Sequence, residues 1–499
     1  MSKKIAELIK RRPIIGWGIF IVTMVAVFLM GLFAASVTER RAEIATLFNN
    51  KKVDIQGIEP RSEIWAENYP REYATWKKTA EMDYRSKHLG NVPEDILESR
   101  PEMVVLWAGY AFARDYRAPR GHMYAVEDVR ATLRTGTPDG EVADMQPGTC
   151  WTCKSPDVPR MMHEIGITNF YKDKWSAFGS EIVNPVGCAD CHDPRTMNLT
   201  ITRPALVEGF ENRGYNIADA TPQELRSLVC AQCHVEYYFK GDEKIPTFPW
   251  HNGITVEEME QYYDEAEFSD WIHALSKAPM LKAQHPDYEL FQLGPHAQRG
   301  LSCADCHMPY ISEGGIKYSN HQVMSPLNNI AATCQTCHRD SEDNIRRYVY
   351  EYQDKALEIR DRVEKELSKA HIMAKTAWEN GAKETEMSAV LKLLRQAQWR
   401  WDFAVASHGS SFHAPVEMQR ILAHSLDRSM QAQLELQKVL FAYGVTNFTM
   451  PDISSKAKAQ EFIGLDMNTL TNDKEVWKET VVPRWLEEAK NKERLVSVR

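Results

Sequence analysis

The sequence has no cysteine outside five CxxC pairs: all ten fall at 150/153, 188/191, 230/233, 303/306 and 334/337. That leaves none to staple distant segments. Five repeats of a two-residue gap are poor geometry for a disulfide framework, and 499 residues are long enough to bury a core without one. An excess of basic charge is also missing. A formal net charge of −9 argues against a nucleic-acid surface, which would carry a basic domain or stripe. Between Ile44 and Trp107 there is no sustained apolar–polar alternation, so this part reads as short helices and loops rather than strands. Charge is absent altogether from Pro13 to Thr38, a run flanked by Lys3, Lys4, Lys10, Arg11 and Arg12 on one side and Glu39, Arg40 and Arg41 on the other. A secretory core is about 7 to 15 apolar residues long and a membrane span about 20, so the length favours an uncleaved anchor. Ala34, Ala35 and Ser36 offer a peptidase small residues, and a cleaved signal peptide stands beside that reading. The leading basic residues keep the N-terminus cytoplasmic and place Glu39 onward on the periplasmic side.

What the chain has instead is one motif five times. Four pairs continue to histidine, giving CxxCH segments that end at His192, His234, His307 and His338; the first, CWTCK, ends at Lys154. In CxxCH the two thiols bond covalently to a c-type haem and the adjacent histidine ligates its iron. Five such segments imply five haems, attached at Cys150 and Cys153, Cys188 and Cys191, Cys230 and Cys233, Cys303 and Cys306, and Cys334 and Cys337. Zinc also uses CxxC half-sites, but it does not require a histidine directly after the second cysteine. The first three segments are spaced by 38 and 42 residues, too irregular for a tandem repeat.

Five irons have ten axial positions. The motif residues fill one side of each, and four further histidines would make the four CxxCH haems six-coordinate. Sixteen histidines less the four in the motifs leave twelve to choose from. A six-coordinate iron exchanges electrons but binds no substrate, so catalysis needs one open site, and the lysine haem is the natural place. Lysine ligates only as the neutral amine, which burial and the ferric charge must favour. The bland reading is that Lys154 merely sits beside an attachment site whose ligand comes from elsewhere.

Beyond Asp340 the composition shifts to Glu, Lys, Ala, Leu, Gln and Arg, with apolar residues every three or four positions in IRRYVYEYQDKALEIRDRVEKEL and VLKLLRQAQWRWDFAVASH. Long amphipathic helices are expected there, with a third from about Pro415 to Tyr443. The tail after Met450 reads as polar with a final helical turn or two. Trp399 and Trp401 read as core residues, and the carboxylates of EEMEQYYDEAEFSDW as mostly solvent-facing. The expected fold class is mainly α: a multihaem cytochrome c with a compact five-haem core, long C-terminal helices and little β structure. Three regions are expected: 1–38 as the signal-anchor, 39–340 as the pentahaem catalytic region, and 341–499 as a long-helix region packing on the haem core.

From about Ala108 to Ile421 the sequence resembles the pentahaem, ammonia-forming cytochrome c nitrite reductase family, which carries one CxxCK haem among four bis-histidine haems and binds calcium beside the active site. The resemblance implies reduction of nitrite to ammonium, with Arg134 in TLRTG, Tyr237 in CHVEYYF and His285 in LKAQH lining the open face of the Lys154 haem. Arginine and histidine there would hydrogen-bond the nitrite oxygens and deliver protons. It further implies distal ligands at His122 for the third haem, His321 for the second, His296 for the fifth and His413 for the fourth, with His408 as the rival for the last. Calcium would be held by Glu236, the Tyr237 and Lys282 carbonyls and Gln284. A membrane quinol-oxidising multihaem cytochrome as donor and a homodimer packed through the C-terminal helices complete what the resemblance suggests. The competing readings are a non-catalytic electron carrier with all five irons six-coordinate, and a reductase acting mainly on hydroxylamine or sulfite.

Overall fold

Helix-forming residues run unbroken from the apolar segment into ERRAEIATLF, and the first helix accordingly spans Pro13–Phe48, past the expected end at Thr38. The computed structural model describes residues 10–48, 51–88, 90–139 and 142–496, so the flanking Lys3 and Lys4 lie outside it. Two units are distinguished, Met1–Asp54 and Ile55–Arg499. In the first, Pro13–Arg41 is long and apolar enough to cross a membrane, with a mean hydropathy of 2.5. A helix of that kind near an N-terminus serves equally as an anchor or a signal segment.

The second unit is mainly α. Its backbone is formed by three long helices, Glu342–Glu379, Glu384–Ala406 and Pro415–Ala442. The first begins at Ser341, whose side chain accepts from the Asn344 amide, with Glu342 and Asp343 in the first turn beside the positive end of the helix dipole. Their apolar stripes, among them Val363, Leu367, Leu394, Ala397 and Leu436, are buried together with Met103–Trp107, Trp250 and Met280 in one core. Within this unit, residues 55–340 and 341–499 therefore share an interior, and no contact boundary falls at 340. Trp399 and Trp401 are both fully buried; their indole N–H groups donate to the Val256 carbonyl at 2.8 Å and to Glu364 Oε1 at 3.0 Å. Strand is confined, among the described residues, to three two-stranded antiparallel ribbons: Tyr238–Lys240 with Ile245–Thr247, Trp271–Ile272 with Pro279–Met280, and Tyr310–Glu313 with Ile316–Ser319.

Two local expectations are corrected. The tail is not a turn or two: it holds a helix at Lys456–Phe462 and another of 25 residues, Met467–Asn491. Its apolar positions Trp477, Val481 and Trp485 recur every four residues and are buried with Trp151, Phe170 and Trp175 in a second core. Within the acidic Val256–Glu265 helix, Glu260 is buried rather than solvated, because Arg400 from the 384–406 helix meets both its oxygens at 2.9 Å.

A buried histidine pair gives this core a pH limit. The His273 and His371 rings stack at 3.9 Å and both are fully buried. The Leu275 and Ser276 amides donate to His273 Nδ1, so its Nε2 carries the proton donated to the Val105 carbonyl at 2.9 Å. His371 is held between Ser276 Oγ at 2.9 Å and Gln398 Oε1 at 2.8 Å. Burial pushes His273 down to about 4 and His371 well below the usual range. A folded-state pKa below the unfolded value of about 6.5 means that stability is present above that value and is lost as pH falls toward 4. Urea midpoints are expected to drop across this window, and the drop should be shallower in His371→Gln. An equal slope in the variant would remove the pair as the cause.

Candidate active site

Each motif is set on about one helical turn, which puts its two cysteines on one face with the fifth residue beside them. CWTCK begins within the 3₁₀ turn Gly148–Trp151, fixed by Trp151 stacking on Trp175 at 4.8 Å and by Thr149 Oγ1 donating to the Tyr171 carbonyl at 3.1 Å. Cys188–Cys191 forms a turn in which Asp190 accepts from the Gly187 amide at 2.8 Å. Cys230 ends the Pro222–Ala231 helix, whose start is capped reciprocally by Thr221 and Glu224. Cys303–His307 is capped by Ser302 with Asp305, and Cys334 follows the Ile330–Thr333 turn. Arg203, 2% exposed, ties the first two motifs together: it donates to the Thr152 and Ser155 carbonyls at 2.7 and 2.9 Å and to Asp190 Oδ1 at 2.5 Å. Between motifs, Cys153 and Cys233 are near enough to shift each other's thiol pKa, as are Cys230 and Cys303.

The motifs surround one interior cavity of about 2590 Å³. Small-ligand pockets run to about 1,000 Å³, so this space is sized for several large groups. Ten histidines line it, and eight face one another in four pairs. Ring centres are 6.2 Å apart for His122 and His234, 6.2 Å for His192 and His321, 6.2 Å for His307 and His413, and 6.4 Å for His296 and His338. Two metal–imidazole bonds of about 2.0–2.1 Å plus the half-widths of two rings span roughly 6 Å, so each gap fits one metal ion. The Nδ1 atoms of His192, His307 and His321 meet the carbonyls of Met197, Met324 and Ser319 at 2.9, 2.9 and 2.8 Å, which leaves Nε2 free for that gap. Burial pushes His122 and His413 down to about 4, keeping each a neutral donor. The absence of side chains at Gly409 and Gly294 leaves the space that the His413 ring and carbonyl occupy. Between the two rivals, His413 is the one that faces His307, while His408 packs against His285 at 5.7 Å. Paired cysteines, paired imidazoles and the cavity together fit covalently attached haems.

Lys154, Arg134 and His285 line this same cavity. Arg134 is carried by the short turn Leu133–Thr135; its Nε donates to Thr132 Oγ1 at 3.1 Å and its guanidinium lies 4.4 Å over the Phe112 ring, so its terminal nitrogens remain to meet an anion. His285 Nε2 meets Asp287 Oδ2 at 2.9 Å. That carboxylate also faces His234 Nδ1 at 3.5 Å and accepts from Ser407 Oγ at 2.5 Å. Burial works against its charge, but His285 and His234 hold its pKa well below the usual range. Tyr237 is outside the cavity lining but beside the first motif: burial, with Cys153 and Cys150 adding, pushes its phenol far up, so it stays a hydrogen-bond donor.

Three of the four expected calcium groups come together. Glu236 is fully buried; its Oε2 accepts from the Gln284 amide at 2.6 Å and its Oε1 from Tyr263 at 3.0 Å. Gln284 Nε2 donates to the Lys282 carbonyl at 3.2 Å. Burial raises the Glu236 carboxyl far above the usual range, which a cation beside it would reverse. This all-oxygen donor set fits calcium, once the Gln284 amide turns its oxygen inward.

The model of the cytochrome c552 family matches residues 61–493. The chain belongs to the cytochrome c552 family. Within it, a cytochrome c-552 of Bacteroides thetaiotaomicron is 63% identical over 96% of this chain and 98% of the relative, and one of Desulfotalea psychrophila is 46% identical over 94% and 92%. The solved structure of a cytochrome c nitrite reductase from Desulfovibrio desulfuricans, described as a catalytic subunit with two calcium sites, is 30% identical with a TM-score of 0.74, covering 84% of this chain and 91% of that one. Against this cytochrome c552 framework, sequence reasoning missed Asp287, Arg203 and Asp402. Each is an ordinary charged residue in the sequence and is marked out only by partners distant along the chain.

Proposed function

We propose that this protein is an ammonia-forming cytochrome c nitrite reductase, reducing nitrite to ammonium with six electrons at a lysine-ligated haem on Cys150 and Cys153, fed by four bis-histidine haems on the other motifs. The observation that carries this is the histidine accounting: eight of the ten cavity histidines face one another in pairs, and Lys154, Arg134 and His285 line the same cavity. Similarity to the Desulfovibrio desulfuricans nitrite reductase supports the choice of substrate. When bound, the haems supply the electrons and one open coordination position for the anion.

The chain's own residues do the rest. Arg134 offers positive charge and paired donors to the nitrite oxygens. His285, oriented by Asp287, hands protons to those oxygens, and Tyr237 contributes a neutral O–H. Calcium at Glu236, Gln284 and the Tyr237 and Lys282 carbonyls would tie the segments bearing Tyr237 and His285 into one rigid wall. The first helix supports a periplasmic enzyme held at the cytoplasmic membrane, and the family resemblance supports a membrane quinol-oxidising multihaem cytochrome as its donor. Exposed Val416, Leu434 and Phe441 on the 415–442 helix support a homodimer formed through it.

The test is ammonium production from nitrite by the reduced holoprotein, together with a spectrum containing one high-spin haem among low-spin ones. Lys154→His is expected to keep all five haems while lowering nitrite turnover. Unchanged turnover would end the special role of the lysine, and absence of ammonium would favour an electron carrier.

A further inference from the structure

The helix Met467–Asn491 reaches the candidate site from the far end of the chain. Lys474 on it is 1% exposed, and its Nζ donates to Thr135 Oγ1 at 3.1 Å and to the Gly136 carbonyl at 2.6 Å. One turn on, the Trp477 indole donates to the Pro138 carbonyl at 2.7 Å, with its ring 4.2 Å from the Lys474 nitrogen. Glu475 and Lys478, on the same helix, line the cavity into which Arg134 projects.

The loop gripped in this way is the one that presents Arg134. Besides Lys474, the turn is held by Thr135 Oγ1, whose hydroxyl is shared between the Val129 and Thr132 carbonyls at 3.1 and 3.0 Å, by the Arg134 amide and Nε on Thr132 Oγ1 at 3.3 and 3.1 Å, and by the Leu133 amide on Asp115 Oδ2 at 3.2 Å; none of these reaches Gly136. It is a three-residue 3₁₀ turn ending at Gly136, φ +64°, and so has poor hydrogen-bond geometry of its own. Lys474 has no ion-pair partner among the described residues; two neutral oxygens and an aromatic face receive it instead. For packing alone, a leucine or methionine would fill the space without desolvating an ammonium. The donors of Lys474 are thus spent on the loop.

We propose that Lys474 is a positioning residue for the substrate: through Thr135 and Gly136 it sets where the Arg134 guanidinium stands, which makes the C-terminal helix part of the nitrite-binding apparatus. This rests on the reading of Arg134 as a nitrite contact.

The experiment uses the purified holoenzyme. Lys474→Met keeps the stem and removes the donors, and Lys474→Gln keeps one. In the methionine variant KM for nitrite is expected to rise roughly tenfold or more with kcat altered less than about threefold, since small misplacements near reacting groups carry large penalties. Nitrite binding read from haem absorbance should weaken by the same factor, amides 132–138 should exchange faster, and the glutamine variant should fall between. The double variant Arg134→Ala with Lys474→Met should bind nitrite no worse than Arg134→Ala alone, whereas a purely structural lysine would add its own loss. If the methionine variant fails to fold, Lys474→Gln and Thr135→Val carry the test, and wild-type KM in both overturns the proposal. If Arg134→Ala itself binds nitrite like wild type, the site reading has failed and the proposal with it. If Arg134→Ala weakens binding while the Lys474 variants do not, the proposal alone falls.

Discussion

Alanine in place of Arg134 is expected to lower kcat/KM for nitrite by roughly 10²- to 10³-fold with the haem absorbance unchanged, the size of effect seen when one fixed donor to a developing negative charge is removed. The protein as a whole carries a formal charge of −9, so an anion is held only where positive charge is concentrated locally. Arg134 provides that concentration in a rigid form: Thr132 occupies its Nε and Phe112 supports its plane. Lysine at this position would keep the charge but lose the planar fork, and should recover only part of the rate. The check is steady-state nitrite reduction by both variants beside matched spectra. A loss of less than threefold in the alanine variant would mean that the guanidinium meets no substrate.

The second large effect concerns stability. Lys282→Met should cost about 3–5 kcal/mol, the usual consequence of leaving one member of a buried ion pair unpaired. Lys282 Nζ lies 2.8 Å from Asp402 Oδ1, and the two side chains are 2% and 1% exposed. Asp402 Oδ2 also accepts from the Ala283 amide at 3.2 Å, so the pair fastens the segment leading into Gln284 and His285 to the 384–406 helix. Replacing Asp402 as well, with leucine, removes the stranded charge and should restore most of the loss. Denaturant midpoints of the holoprotein measure both. Equal midpoints for wild type and Lys282→Met would show that Asp402 finds compensation elsewhere.

What could be read from the sequence follows from how far each chemical requirement reaches along the chain. Haem attachment needs two thiols and a ligand within five consecutive residues, so all five motifs were visible at once, as were the long helices with apolar residues every third or fourth position. The distal histidines were legible only through family resemblance: nothing near His321 or His413 distinguishes them from His273 or His371, which turn out to belong to an unrelated buried pair. Glu260 falls among carboxylates that read as mostly solvent-facing because its partner, Arg400, lies more than a hundred residues away, and the Lys282 side chain carries no signal because Asp402 is as distant. The last helix was underestimated because its buried face is thin, Trp477, Val481 and Trp485 amid charged residues, and because Pro483, ordinarily a helix breaker, lies inside it.

The placing of the third motif has a consequence for traffic. Cys233 reaches toward the first motif and Cys230 toward the fourth, and Cys191 of the second motif bears electrostatically on Cys230. With haems attached as proposed, the third attachment point would stand between the first, the second and the fourth, with the fifth next to the fourth, where Cys334 bears on Cys306. Loss of the third attachment point would then separate the Lys154 site from the fourth and fifth, whereas loss of the fifth would remove only an end of the chain.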